Sequence, residues 1–146
     1  GMIDAYSVEI TDRQSRISVD AQRLEVAVRK VLTESPFPEA DISIALVDDR
    51  EMHQLNVAYL DHDYPTDVLS FPLSREEGLL VGEIIVSVDT AEREAAENGL
   101  KVADELLLYV IHGLLHLVGY DDKNEQTRMV MREKEKHFME KMGVSL

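Results

Sequence analysis

Along this chain, stretches in which apolar residues recur at every second position give way to stretches in which they recur every third or fourth. Residues 3–10 carry the two-residue period of a strand. From Ser18 or Asp20 the spacing lengthens, and Leu24, Val28, Val31 and Leu32 fall on one face of a helix that Pro36 and Pro38 terminate. Ile42, Ile44 and Leu46 alternate as a second strand, and Asp48 with Glu51 three positions on gives a capping-box start to a short helix reaching about Tyr59. A loop over residues 61–65 leads to a third strand over 66–71, which the turn-rich segment 72–78 joins to a fourth over 80–88, so these two are expected to pair antiparallel. Asp89 is expected to cap a helix closed by Asn98 and Gly99. Residues 105–118 are apolar almost all round, the mark of a buried helix. Asn124 opens a last helix whose Val130, Met131, Phe138 and Met142 face the core, the methionines filling gaps. These elements predict an α+β fold: a mixed sheet of about four strands packed with about five helices, the 105–118 helix buried against the sheet.

Length and composition narrow the picture. A chain of 146 residues suits one domain over residues 1–146 with a real core. No run of 18 apolar residues and no basic-then-apolar leader is present, so neither a membrane span nor secretion is expected, and Gly1 ahead of Met2 reads as an addition from expression. The absence of cysteine removes thiolate ligands and disulfides and suits a reducing cytoplasm. The net charge of −14 is unevenly spread: residues 51–122 hold fifteen Asp or Glu against Arg75, Arg93 and Lys101 alone. That half lacks the basic stripe that nucleic-acid binders usually show, and most of its acidic surface serves solubility. No nucleotide cofactor is expected.

The chemistry concentrates in IHGLLHLVGYDD, residues 111–122. His112 and His116, four apart on a helix, have Cβ atoms about 5–6 Å apart, close enough for both imidazoles to reach one ion. Gly119 can take the positive φ that ends a helix and turns the chain back, bringing Asp122 towards the pair. Histidines on a buried helix need partners, since an unpaired buried polar group costs about 1–3 kcal/mol. The spacing also follows the zinc-protease frame H-E-x-x-H-x-x-G-x-x-H at every ligand position except the last, where Asp122 stands. His112, His116 and Asp122 are therefore the predicted metal ligands, with Asp121 as the competitor for the third place. Gly113 occupies the position where a metallopeptidase carries its catalytic glutamate, which puts that activity well below the alternatives.

Three segments together, LNVAYLDHDYPTDVLSFP (residues 55–72), GEIIVSVDTAEREAAENG (residues 82–99) and HGLLHLVGYDD (residues 112–122), resemble the YbeY family of bacterial metal-dependent endoribonucleases. The resemblance runs from the second strand to the last helix. It implies one divalent metal, usually zinc, held by three histidines in the pattern HGxLHLxGYDH. It also implies single-strand-directed RNA cleavage in ribosome biogenesis, at the 3′ end of small-subunit rRNA. His112 and His116 match that pattern, and the family's third histidine is Asp122 here. A carboxylate can bind zinc at about 2.0–2.2 Å but cancels part of the ion's charge. The family's arginine after the tyrosine in LNxxYR is replaced by Leu60, and Arg75 or Lys123 would have to compensate as cations for phosphate.

Asp67 in PTDVLSF and Glu83 at the start of the fourth strand are the candidate catalytic carboxylates, each also readable as a strand-end residue bonded to backbone. Thr66, Ser70 and Tyr120 are candidates to line the cleft, while His53, His62 and His137 read as surface residues. The expected partner is rRNA, within the small ribosomal subunit or delivered by a basic ribosomal or assembly protein, since an acidic chain should bind naked RNA weakly. The rival expectation is an assembly factor that keeps the metal site but does not cut.

Overall fold

A computed structural model describes residues 4–60 and 67–146. Four strands, β1 (Tyr6–Asp12), β2 (Glu39–Val47), β3 (Val68–Ser74) and β4 (Leu79–Ser87), form one mixed sheet in the order β1-β2-β4-β3. β1 and β4 both run parallel to β2, with Ile10 opposite Ile44 and Ile44 opposite Ile84, whereas β3 pairs antiparallel with β4 as expected. The helices are α1 (Ala21–Thr33), α2 (Asp49–Leu60), α3 (Val88–Asn98), α4 (Val102–Val118) and α5 (Glu125–Lys141). Among the described residues, four strands and five helices in this mixed arrangement are the predicted α+β architecture.

The period of two along the central strands separates two unequal layers. Ala40, Ile42, Ile44 and Leu46 of β2, with Leu80, Ile84 and Val86 of β4, are buried in one core with α1, α4 and the apolar side of α5. Val47 and Leu69 on the other face meet Met52 of α2, with Leu55, Phe71 and Ile85 packed around them. The central helix α4 lies directly on the sheet at Gly113: a Cβ there would sit 2.9 Å from Ile84 Cγ2 and 3.0 Å from Val68 Cγ2. Gly113 therefore marks backbone contact with the sheet, and its carbonyl accepts a hydrogen bond from Ser70 Oγ at 2.9 Å.

Local chemistry moved several boundaries. Asp20, not Ser18, caps α1 by accepting from Arg23 N–H at 3.1 Å. Asp48 caps α2 through Glu51 N–H at 2.9 Å, but the Glu51 side chain pairs with Arg13 at 2.6 Å instead of closing a capping box. Ser87, not Asp89, caps α3 by accepting from Thr90 N–H at 3.1 Å. Asp89 lies in the first turn, where it takes the free N–H of Asp49 at 2.7 Å and so serves the start of α2. β3 continues through Pro72 to Ser74 with an irregular register, because an edge strand can spare the proline's missing donor. On α5 the buried positions are Met131, Phe138 and Met139, while Val130 is exposed, one position off the stripe. Thr66, His62 and the predicted loop over residues 61–65 lie outside the described residues.

Candidate metal centre

The buried helix α4 has one side that is only half covered, carrying Leu108, His112 and His116 at a spacing of four. Gly119 ends the helix at φ 118°, and the returning chain donates from Tyr120 N–H to Leu115 O at 3.0 Å. That reversal brings Asp122 back over the helix end. Its Oδ2 lies 3.6 Å from His112 Nε2 and 3.7 Å from His116 Nε2, and the two Nε2 atoms are 3.0 Å apart. A tetrahedral ion with bonds of about 2.0–2.2 Å holds its ligand atoms about 3.3–3.6 Å apart. The triangle brackets that separation, so these three side chains could hold one metal ion. The negative end of the α4 dipole, with His116 in the last turn, favours a cation at the same place.

Asp121 is turned to its own loop, accepting from Lys123 N–H at 3.1 Å, a bond that, with the Thr127 hydroxyl, holds its carboxyl below the usual range. Asp122 is the carboxylate that meets the histidines. Glu135 of α5 lies 2.7 Å from His112 Nδ1, on the side away from the triangle. Burial alone would push the His112 imidazole down; the Glu135 hydrogen bond and charge, with Asp122 and Asp67, outweigh it and hold its pKa above the ordinary value. No motif points to Glu135, yet the sequence held a signal: it stands between Met131 and Phe138 at core-facing helical spacing, where a carboxylate needs a partner.

Two open depressions meet at His112 and Asp67. One, of about 500 Å³, runs past Thr90, Arg93, Asn98, Glu105 and Tyr109; the other, of about 470 Å³, runs past Ser70, Pro72, His116 and Asp122. Among the described residues lining them, Arg93 is the single Lys or Arg, and it is tied to Asp49 at 2.6 Å. Burial, followed by the charges of Glu105, Asp67 and Glu94, pushes the Tyr109 hydroxyl well up, so it stays a donor. Asp67 is a strand-end residue in part, its Oδ1 accepting from Val68 N–H at 2.7 Å and its carbonyl from Ser87 N–H at 2.9 Å.

Glu83 is not brought to this centre. Its neighbours Gly82 and Ile84 face α4, so the strand alternation turns Glu83 to the opposite face of the sheet, into a groove of about 610 Å³ shared with Arg13, Phe71 and Leu73. Ser70 lines the depression beside His116, and Tyr120 is half-buried with the Lys134 ammonium 5.7 Å from its ring centre. Arg75 donates to Leu117 O at 2.9 Å, at the C-terminal end of α4, while Lys123 is exposed. His137 is an exposed residue paired with Glu34 at 3.0 Å, and His53 lies on α2, over the other sheet face.

An α+β domain layer with a His-His-carboxylate triangle at the end of its central helix defines a candidate metal-dependent enzyme. The family model described as Endoribonuclease YbeY matches residues 9–143, and the chain belongs to that family. It is 36% identical over 142 residues to the Endoribonuclease YbeY of Syntrophus aciditrophicus, covering 92% of this chain and 89% of that protein. It is 38% identical over 151 residues to the Endoribonuclease YbeY of Desulforamulus reducens, covering 95% and 99%. The solution structure of TM1509 from Thermotoga maritima superposes with a TM-score of 0.66 at 29% identity, over 92% of this chain and 88% of that one. Among the described residues no helix is long and apolar enough to cross a membrane.

Proposed function

We propose that this chain is a metal-dependent endoribonuclease, a single domain over residues 1–146, that cuts single-stranded rRNA during maturation of the small-subunit rRNA 3′ end in the cytoplasm. The observation that carries the reading is the triangle of His112 Nε2, His116 Nε2 and Asp122 Oδ2 with sides of 3.0, 3.6 and 3.7 Å, in a chain whose relatives are named endoribonucleases. Two imidazoles, one carboxylate and no thiolate suit zinc. When bound, the ion supplies Lewis acidity and positive charge worth several kcal/mol to a phosphoryl transition state.

The chain's own residues have the remaining work. A phosphodiester entering these depressions meets Asp67, Glu94, Glu105, Asp122 and Glu135 against, among the described residues, the guanidinium of Arg93 alone, so a bound ion would supply the positive charge that this lining lacks. His112, His116 and Asp122 would hold it. Asp67, which lines both depressions as His112 does, is the carboxylate we assign to accept a proton from the attacking water, and the Tyr109 hydroxyl can donate to the RNA. The net charge of −14 supports delivery of the substrate by a basic ribosomal or assembly protein within the small subunit.

Cleavage of a single-stranded rRNA fragment, with and without added zinc, tests the reading. His116→Ala is expected to lower the rate by at least about 100-fold, consistent with a loss of several kcal/mol, while the fold is retained. Undiminished cleavage by that variant would overturn the metal-dependent reading of the site, and no cleavage by the zinc-loaded parent would overturn the enzymatic reading and favour an assembly factor.

A further inference from the structure

We propose that Glu135 is a positioning residue for the metal centre, fixing the proton of His112 on Nδ1 and so committing Nε2 to the ion; the proposal rests on the metal-binding reading of the site. An ionised carboxylate can only accept hydrogen bonds, so with Glu135 Oε2 2.7 Å from Nδ1 that nitrogen must carry the hydrogen. In the neutral ring Nε2 is then a bare lone pair. It is Nε2 that lies 3.0 Å from His116 Nε2 and 3.6 Å from Asp122 Oδ2, inside the ligand triangle. A carboxylate behind a ligating imidazole also raises its basicity and holds its plane.

The pair is screened from solvent, the His112 and Glu135 side chains being 23% and 15% exposed, so the bond competes little with water. Glu135 occupies a core-facing position of α5 between Met131 and Phe138, where a carboxylate without a partner would be costly. Among the described residues His116 Nδ1 has no comparable partner, which leaves His112 as the ring held from behind.

The helix that carries Glu135 also braces the loop that carries Asp122. α5 begins two residues after Asp122's neighbour Lys123, at Glu125, with Asn124 and Thr127 forming a reciprocal capping box of 2.9 and 3.1 Å. One position before Glu135, the Lys134 ammonium stands 5.7 Å from the centre of the Tyr120 ring in the returning loop. Thus α5 fixes both a ring and the loop of the third ligand, and a substitution on α5 should be felt at the metal.

The test is zinc affinity of the full chain, measured by competition with a chromogenic chelator, for the parent, Glu135→Ala and Glu135→Gln. It is paired with ¹⁵N NMR of the His112 ring in the zinc-free proteins at alkaline pH, where imidazoles are neutral. The alanine variant is expected to bind zinc about 10–100-fold more weakly. The glutamine variant, which keeps an acceptor but not the charge, should fall between. The parent ring should carry its hydrogen on Nδ1, and the alanine variant should lose that preference. Parent and both variants binding zinc within twofold of one another, or a parent ring protonated on Nε2, would overturn the proposal while leaving the metal site standing. No zinc uptake by the parent would overturn the metal reading and the proposal with it. Should Glu135→Ala not fold, the Glu135→Gln comparison still decides.

Discussion

Gly113→Ala tests whether α4 is seated on the sheet as closely as the geometry requires. The added methyl would lie 2.9 Å from Ile84 Cγ2, 3.0 Å from Val68 Cγ2 and 3.1 Å from Ser70 Oγ. Comfortable carbon contacts are about 3.5–4.0 Å. Ile84 and Val68 are β-branched and stiff at χ1, and Ile84 is fully buried, so neither can swing clear. Overpacking a core costs about 1–3 kcal/mol, and three simultaneous contacts put this site in the upper part of that range. Replacing a helical glycine by alanine returns about 1 kcal/mol of propensity. The expected net loss is about 1–2 kcal/mol, or roughly 3–8 °C in the thermal midpoint of a chain this size. Urea and thermal unfolding of the metal-free protein measure it. The sign is decisive: a helical glycine free of the sheet would gain stability from alanine, so an unchanged or raised midpoint would refute the close seating. Because the helix must shift to admit the methyl, zinc affinity should fall as well.

Glu105 is 1% exposed and accepts from Asn98 Nδ2 at 2.5 Å; burial raises its pKa, against the Asn98 bond and with help from Glu94 and Asp67. A folded-state pKa above the unfolded one makes stability fullest below the ordinary carboxylate range and erodes it as pH rises through the raised value. Glu105→Gln keeps an acceptor for Asn98 without the charge, so it should unfold at a higher temperature than the parent at pH 7, with the gap closing towards pH 4; a pH series of thermal melts that shows a lower midpoint at pH 7 would contradict this. Asp122→His should move the cleavage pH profile to lower pH, because an imidazole leaves more of the ion's charge uncancelled than a carboxylate does. A profile shifted upward or unmoved would refute that charge argument.

Much of the metal centre was legible because it is local. His112, His116 and Asp122 lie within eleven residues, on a helix whose period is fixed and a reversal that Gly119 specifies, so spacing alone carried their geometry. The buried α4 was equally legible from its apolar surround. What depends on pairing between distant segments was not. Glu83 could be placed on a strand but not on a face, because which parity of β4 meets α4 is set by the register with β2 and β3. Ser87 and Asp89 are both good caps, and the choice fell to Ser87 because Asp89 is engaged by Asp49 N–H and Arg16 from other parts of the chain. Glu135 is 23 residues beyond His112, and only the packing of α5 on α4 brings them together. The parallel β1-β2-β4 order likewise comes from the α1 and α2 crossovers, not from any one strand's pattern.

The central claim is that two imidazoles and one carboxylate share a single ion. Anomalous diffraction at the zinc edge, on crystals of the zinc-loaded chain, tests it most directly. The account predicts one peak at about 2.0–2.2 Å from His112 Nε2, His116 Nε2 and an Asp122 carboxylate oxygen. No peak at that point, or Asp122 turned into solvent while the two rings bond only to each other and to Glu135, would contradict it.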